Sequence, residues 1–318
     1  MKDVQGYDAL IVVTDTDYAR VAKHYDRILQ NLPAKRIAVV GSAAVLERME
    51  QDERGDSYVF IDENAILPFD AVYEAISERM AGILNGQPLP RGIAGWYYQQ
   101  FLKMSYADFC PQEYYMVWDG DTIPCKPFSM FSENGKPYLD VKAEYVPGYF
   151  DTMGKLIPGL SKLIGPSFIS EHMLFKTELM EELLTAIEAN EEIPGQYYWQ
   201  KIINAIEPAD LQVNSFSEFE TYGSYMALKH SSVYRLREWH SFRLGAEFFD
   251  PDTIREEDFV WLAQDFDAIS FEKNQSVRED HRHLFDNPEY QAKMRPRIML
   301  ENAQKEFNGG NVEQWGLF

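Results

Sequence analysis

Cysteine is almost missing from this chain. The two present, Cys110 and Cys125, have no Cys or His neighbour at metal-ligand spacing, which argues against a disulfide framework or a zinc site. Both read as reduced, partly buried thiols. Long apolar runs are missing too: none approaches the roughly 18 residues of a membrane span. The opening stretch "MKDVQGYDALIVVTD" carries only a short apolar run with acids on either side and no small-residue cleavage site, unlike a signal peptide. A soluble cytoplasmic protein is expected, with peripheral contact at the inner face of the membrane left open. Positive charge is scarce as well. A formal charge of -21 repels phosphate backbones and anionic lipid, so nucleic acid is not an expected partner. An anionic small substrate would need local Lys or Arg, or a bound cation. There is no internal repeat and no low-complexity tract.

What is present is enough for a core: 318 residues, 45% apolar and 14% aromatic. The first 120 or so residues alternate short β-rich runs with helical patterns, the signature of βα units and a mainly parallel sheet. "DALIVVTD", "RIAVVG", "SYVFID" and "YYMVW" read as strands. "DYARVAKHYDRILQNL" reads as one helix with Asp17 as its N-cap, followed later by helices near residues 69–84 and 95–109. Beyond that, "KPYLDVKAEYVPGYF" suggests strands and turns, and "GKLIPGLSKLIGPS" a Gly/Pro-punctuated loop able to cover a site. A strand in "SFIS" to "MLF" precedes a strong helix over 178–190 with Thr177 as N-cap. From about Gly245 the chain turns acidic and helical and closes on a tail, "FNGGNVEQWGLF", which suggests a main domain over 1–245 and an extension over 246–318.

D-x-D alone is weak, since the chain holds it at Asp15/Asp17, Asp119/Asp121 and Asp265/Asp267. Asp265 and Asp267 fall in a helical pattern that points them about 200 degrees apart, a solvated face. Asp15 and Asp17 end the first strand, where Asp17 suits a cap and Asp15 a cap or a nucleotide base. Asp119-Gly120-Asp121 follows an apolar interior strand, has a glycine to turn the backbone, and is stopped by Pro124. Ligands of open α/β sheets lie at such strand ends. Two hard oxygen donors there suit Mg2+ or Mn2+ with positions left for diphosphate oxygens, and the plain alternative is a turn with one capping Asp.

With these motifs in view, the sequence resembles glycosyltransferases of the GT-A fold, which carry D-x-D after several βα units. More narrowly, "GWYYQQFLKM", "VWDGDTIP", "FISEHMLFKTELM" and "SEFETYGSY" are similar to a family of bacterial proteins found with surface-polysaccharide genes. The resemblance spans roughly Tyr7 to Arg243 and implies an α/β, Rossmann-related sheet flanked by helices. It also implies a nucleotide-diphosphate sugar as donor (a uridine diphosphate sugar by analogy), a glycan or lipid-linked acceptor, and Mn2+ or Mg2+. Carried over by position, Asp121 would bind metal, Asp119 metal or donor, and Gln100 or Lys103 the donor. By the same route Glu171 and His172 would lie near donor sugar and acceptor, and His240 would complete the metal shell.

Each of these has a plainer alternative. Gln100 fits an apolar helix face if its amide meets backbone; His172 fits a satisfied core histidine. The resemblance also implies an acidic general base of an inverting transfer at the start of a helix here, Glu218 or Glu220; Ser217-x-x-Glu220 matches a capping box, which gives Glu220 a structural task and favours Glu218. "REWHSFR" gathers cations in an acidic chain, and Arg237 or Arg243 would match diphosphate oxygens. The competing readings are a haloacid dehalogenase-like phosphatase, for which Ile123 is the wrong fifth residue, and a non-catalytic carbohydrate-binding protein.

Overall fold

The structure is a computed structural model that describes residues 6–32, 34–143, 145–277 and 287–307. In chain order it runs β1 (Ala9–Val12), α1 (Asp15–Val21), α2 (Asp26–Asn31), β2 (Ile37–Gly41), α3 (Ala43–Gln51), β3 (Tyr58–Asp62), α4 (Glu63–Ile66), α5 (Phe69–Arg79), α6 (Ala81–Leu84), α7 (Arg91–Ser105) and β4 (Tyr114–Trp118). There follow β5 (Thr122–Pro124), β6 (Tyr138–Val141), α8 (Pro147–Leu156), β7 (His172–Lys176), α9 (Thr177–Glu188), α10 (Tyr198–Ala205) and α11 (Glu218–Lys229). The C-terminal part adds β8 (Arg235–Glu238), β9 (Ser241–Phe242), α12 (Gly245–Phe248), α13 (Glu256–Leu262), β10 (Ala268–Ser270) and a last helix, Pro296–Phe307.

The main sheet has five strands in the order β3-β2-β1-β4-β7, parallel except for β7, which runs antiparallel to β4 in the register Trp118↔His172. Fold class is therefore as expected: α/β with a mainly parallel central sheet flanked by helices. Strand side chains alternate between faces, and here both faces are covered. Leu10, Ala38, Val40, Tyr115, Val117 and Phe175 join one core with α5, α7 and α9. Ile11, Val39, Met116, Trp118 and Leu174 join a second with α1, α2 and the C-terminal segment. This is why β1, β2 and β4 read as unbroken apolar runs. Each large side chain fully buried this way contributes roughly 1.5–3 kcal/mol.

Three expectations change. The helix foreseen over 17–32 is broken into α1, a short 3-10 turn at Ala22–His24, and α2, and its N-cap is Thr14, whose hydroxyl accepts from the Asp17 amide at 3.2 Å. Thr177 is the first residue of α9 and not its cap, because its hydroxyl donates to the Gln112 carbonyl at 2.7 Å. Asp265 and Asp267 are not a solvated helical face: they follow α13, where Asp267 pairs with Lys126 at 2.9 Å and Asp265 pairs with Arg295.

The boundary expected at 245/246 falls between strands of one sheet. β10 lies between β5 and β9, antiparallel to the first and parallel to the second, so the C-terminal segment is built onto the strand that follows Asp121. The tail beyond Phe307, like Met1 to Gln5, lies outside the described residues. Among the described residues no helix is long and apolar enough to cross a membrane.

Candidate functional site

Asp119, Gly120 and Asp121 form the turn between β4 and β5 at the carboxyl edge of the sheet. Backbone bonds fix it on every side. The Asp119 amide donates to the Glu171 carbonyl at 2.9 Å, the Thr122 amide to the Asp119 carbonyl at 3.0 Å, and the Phe271 amide to the Asp121 carbonyl at 2.8 Å. Thr122 and Ser270 hydroxyls meet at 2.7 Å. A Cβ at Gly120 would stand 3.0 Å from the Ile11 side chain and 3.1 Å from the Tyr25 hydroxyl, which itself donates to the Gly120 carbonyl. Glycine is what lets this turn lie against β1. The result is a fixed backbone carrying two half-buried carboxylates.

The end of α7 and the start of α11 meet the first of them. Lys103 reaches Asp119 at 2.7 Å and Glu218 at 2.8 Å with the same ammonium, 5% exposed. Burial pulls the Lys103 ammonium down, but the two carboxylates more than reverse this and hold it above the ordinary lysine range. Burial pushes Glu218 up, and Lys103 only partly opposes it. Glu218 is held at the α11 N-terminus, where Ser217 accepts from the Glu220 amide at 3.2 Å and Gln100 accepts from the Glu218 amide at 3.1 Å.

Asp121 is raised to about 7, chiefly by burial, then by Asp119 and Glu272, with Arg20 opposing. A carboxyl raised in the fold contributes stability below its unfolded value near 4 and loses it as pH rises toward 7. Asp121→Asn is therefore expected to stabilise the metal-free protein at pH 8 by about 1–2 kcal/mol, discounted for partial exposure, with little gain at pH 4. Urea unfolding at the two pH values checks this.

Other expected site residues lie elsewhere. His172 is fully buried under Trp118, Phe128 and Trp239, with Nε2 2.7 Å from Asp140 and Nδ1 2.8 Å from the Ser170 carbonyl, so it does not face a substrate. Arg237 grips Asp140 with two bonds of 2.6 and 2.7 Å and donates to the Ser129 carbonyl, which takes its fork away from any diphosphate. Burial pushes the Asp140 carboxyl up, but bonds from Arg237 and His172 hold it below its ordinary value. Gln100 meets backbone at both ends, accepting from Glu218 and donating to the Trp96 carbonyl at 3.2 Å. Glu220 accepts from the Ser167 hydroxyl and from the Phe168 amide at 3.1 Å, a tie to the preceding loop that the capping-box pattern did not reveal. Asp15 pairs with Arg48 across α1 and α3.

His240 stands opposite Asp267, whose carboxylate accepts its amide at 3.0 Å, while Asp121 stands opposite Phe271. Four residue-to-residue steps along β10, roughly 13 Å, separate those positions. Among the described residues no group of three or more His, Cys, Asp or Glu is arranged to hold a metal, so His240 does not complete a shell with Asp119 and Asp121. Two carboxylates at one strand end, one of them raised chiefly by burial and then by its like-charged neighbours, are hard oxygen donors of the kind that suit a hard cation taking its remaining ligands from diphosphate and water.

Arg243 and Glu171 do lie beside the turn. Glu171 is buried and its carboxylate is held by Lys142 at 2.7 Å, Ser241 at 2.6 Å and Arg243 at 3.6 Å; Arg243 also pairs with Glu272 at 3.1 Å. Burial raises Glu171, and the Lys142 and Arg243 charges bring it net below the usual range. Sequence reasoning missed Lys142, Arg20 and Glu272, which sit in unremarkable segments and arrive by tertiary pairing. Two surface cavities, each of about 360 Å³, are lined by Tyr18, Arg48 and Arg54 and by Phe249, Arg255 and Asp258, not by this turn.

Solved structures similar to this chain include mouse xyloside xylosyltransferase 1, apo form, at 14% identity and a TM-score of 0.42, covering 86% of this chain and 100% of that one. Galactosyltransferase LgtC in complex with donor and acceptor sugar analogs is 13% identical, with a TM-score of 0.42 and coverage of 92% and 99%. The apo-form glycosyltransferase GlyE of Streptococcus pneumoniae TIGR4 is 12% identical, with a TM-score of 0.40 and coverage of 95% and 64%. Likenesses at this level say nothing of substrate or mechanism. No curated protein matches the sequence. One family model spans residues 9–293, nearly the whole chain and every residue of the turn, Lys103 and Glu218, and on that match the chain belongs to the family of unknown function DUF6492.

Proposed function

We propose that the protein is a metal-dependent, inverting glycosyltransferase that moves a sugar from a nucleotide-diphosphate donor to a glycan or lipid-linked acceptor. By the sequence resemblance, the donor is a uridine diphosphate sugar and the setting is bacterial surface-polysaccharide synthesis. The observation that carries the reading is the connection of Asp119 through one buried ammonium to Glu218, beside a second half-buried carboxylate on the same turn. Asp119 and Asp121 would hold Mn2+ or Mg2+, which neutralises charge on the departing diphosphate. Glu218 takes the acceptor hydroxyl proton; the oxygen bonds to the anomeric carbon, and the carbon–oxygen bond to the diphosphate breaks with its electron pair leaving on the diphosphate. Lys103 keeps both acids in place. Of the two arginines expected to meet diphosphate, Arg243 is the one that pairs beside the turn, with Glu171 and Glu272, while Arg237 is held by Asp140.

Calorimetric titration of uridine diphosphate with Mn2+ tests the assignment. Asp119→Ala and Asp121→Ala should each lose metal-dependent binding while keeping the wild-type far-ultraviolet spectrum. Unchanged affinity in both variants removes the metal from the account.

A further inference from the structure

Among the described residues, four non-glycine residues have positive φ, and Glu171 at φ 62° is the buried one that touches the candidate site. A glutamate in the left-handed region is unfavourable by about a kcal/mol or more and persists only where its surroundings fix it. Here the surroundings are explicit. Its carboxylate is gripped by Lys142, which follows β6, and by Ser241, which opens β9, with Arg243 farther out. Its carbonyl, turned by that backbone conformation, accepts the Asp119 amide at 2.9 Å just where β4 and β7 stop pairing. The other end of the turn is held by the Phe271 amide on the Asp121 carbonyl. Lys142 carries the connection further, since its backbone pairs in both directions with Ser167, whose hydroxyl meets Glu220 of α11.

We propose that Glu171 is a positioning residue: its buried carboxylate locks a left-handed turn whose carbonyl fixes Asp119, so that the Asp119 carboxylate faces Lys103 and any cation at the turn. This deepens the glycosyltransferase reading and rests on it only for the identity of the ligand. Two variants test it. Glu171→Gly permits the left-handed turn without locking it. Glu171→Gly with Lys142→Met removes the buried pair together, so no unmatched ammonium is left to unfold the chain.

The first readout is amide exchange by NMR. Asp119 should be protected in the wild type and exchange at least about tenfold faster in the variants, while β1 and β2 amides keep their protection. The second is Mn2+-dependent affinity for uridine diphosphate, expected to weaken by about 10- to 100-fold, the range for losing a residue that orients a ligand. Unchanged Asp119 exchange, or protection lost equally across β1, β2 and β4, overturns the proposal by reducing Glu171 to a general structural role. Faster Asp119 exchange in a protein whose wild type binds no nucleotide supports the anchor and overturns the glycosyltransferase reading instead.

Discussion

Glu218→Gln is expected to leave donor binding and stability close to wild type and to cut turnover by roughly 100- to 10,000-fold, the range for a lost general base. The amide keeps the shape of the carboxyl and can still accept from Lys103, so what disappears is the capacity to take a proton. The side chain is buried at the first position of α11 and raised by that burial against the opposing Lys103 charge, which suits a base that must be ionised yet basic. Glu220→Gln is the control. Its carboxylate accepts from Ser167 and Phe168, and an amide oxygen can do the same, so turnover should change by less than about fivefold. Steady-state rates of both variants, with NMR of the anomeric proton in the product, check the assignment. Equal rates for Glu218→Gln and wild type, or retention of the donor's configuration, removes Glu218 as base.

The second large effect is on folding. Lys103→Met leaves Glu218 buried and Asp119 half-buried without the cation between them, and breaking a buried pair from one side costs about 3–5 kcal/mol. Removing the Glu218 charge as well with Glu218→Gln in the same chain should recover much of that loss, since only the half-exposed Asp119 is then left without its cation. The pH dependence follows from the direction of the shift. Lys103 is raised above its unfolded value, so its contribution is fully present below the ordinary lysine range and fades only as pH rises through the higher folded value. The lysine's own contribution is accordingly steady between pH 6 and 9, and the loss on Lys103→Met should ease toward low pH as the unpaired Glu218, raised by burial, takes a proton. Urea unfolding of the single and double variants measures it, and an additive double variant would show that the two side chains are not coupled.

The sheet was legible because both its faces are buried. An interior parallel strand shows as an apolar run, and β1, β2 and β4 are such runs, so the strand end carrying Asp119 and Asp121 could be placed from the sequence. The choice of this D-x-D over the other two also came from local features: the preceding strand, Gly120 and Pro124. Long-range pairing was not legible. Nothing local distinguishes Lys103 from a solvated lysine, and it becomes central because α7 and α11 converge on it from positions 115 residues apart. Arg237 resembled a ligand because it is an arginine in an acidic chain, and His172 because the family resemblance sets its strand near donor and acceptor, yet both are drawn to Asp140, an ordinary acid in "YLDV". The C-terminal segment looked separable because acidic helices dominate its composition, while three residues of it, Ala268–Ser270, form the strand that braces the turn.

The most direct test is to incubate the protein with a panel of uridine diphosphate sugars and Mn2+, with and without glycan acceptors, and to assay free nucleoside diphosphate and orthophosphate together. Release of uridine diphosphate from one donor, abolished by removing Mn2+ and by Asp121→Ala, is the predicted result. Release of orthophosphate would point to a phosphatase, and tight donor binding with no product of either kind would make this a carbohydrate-binding protein; either outcome contradicts the account.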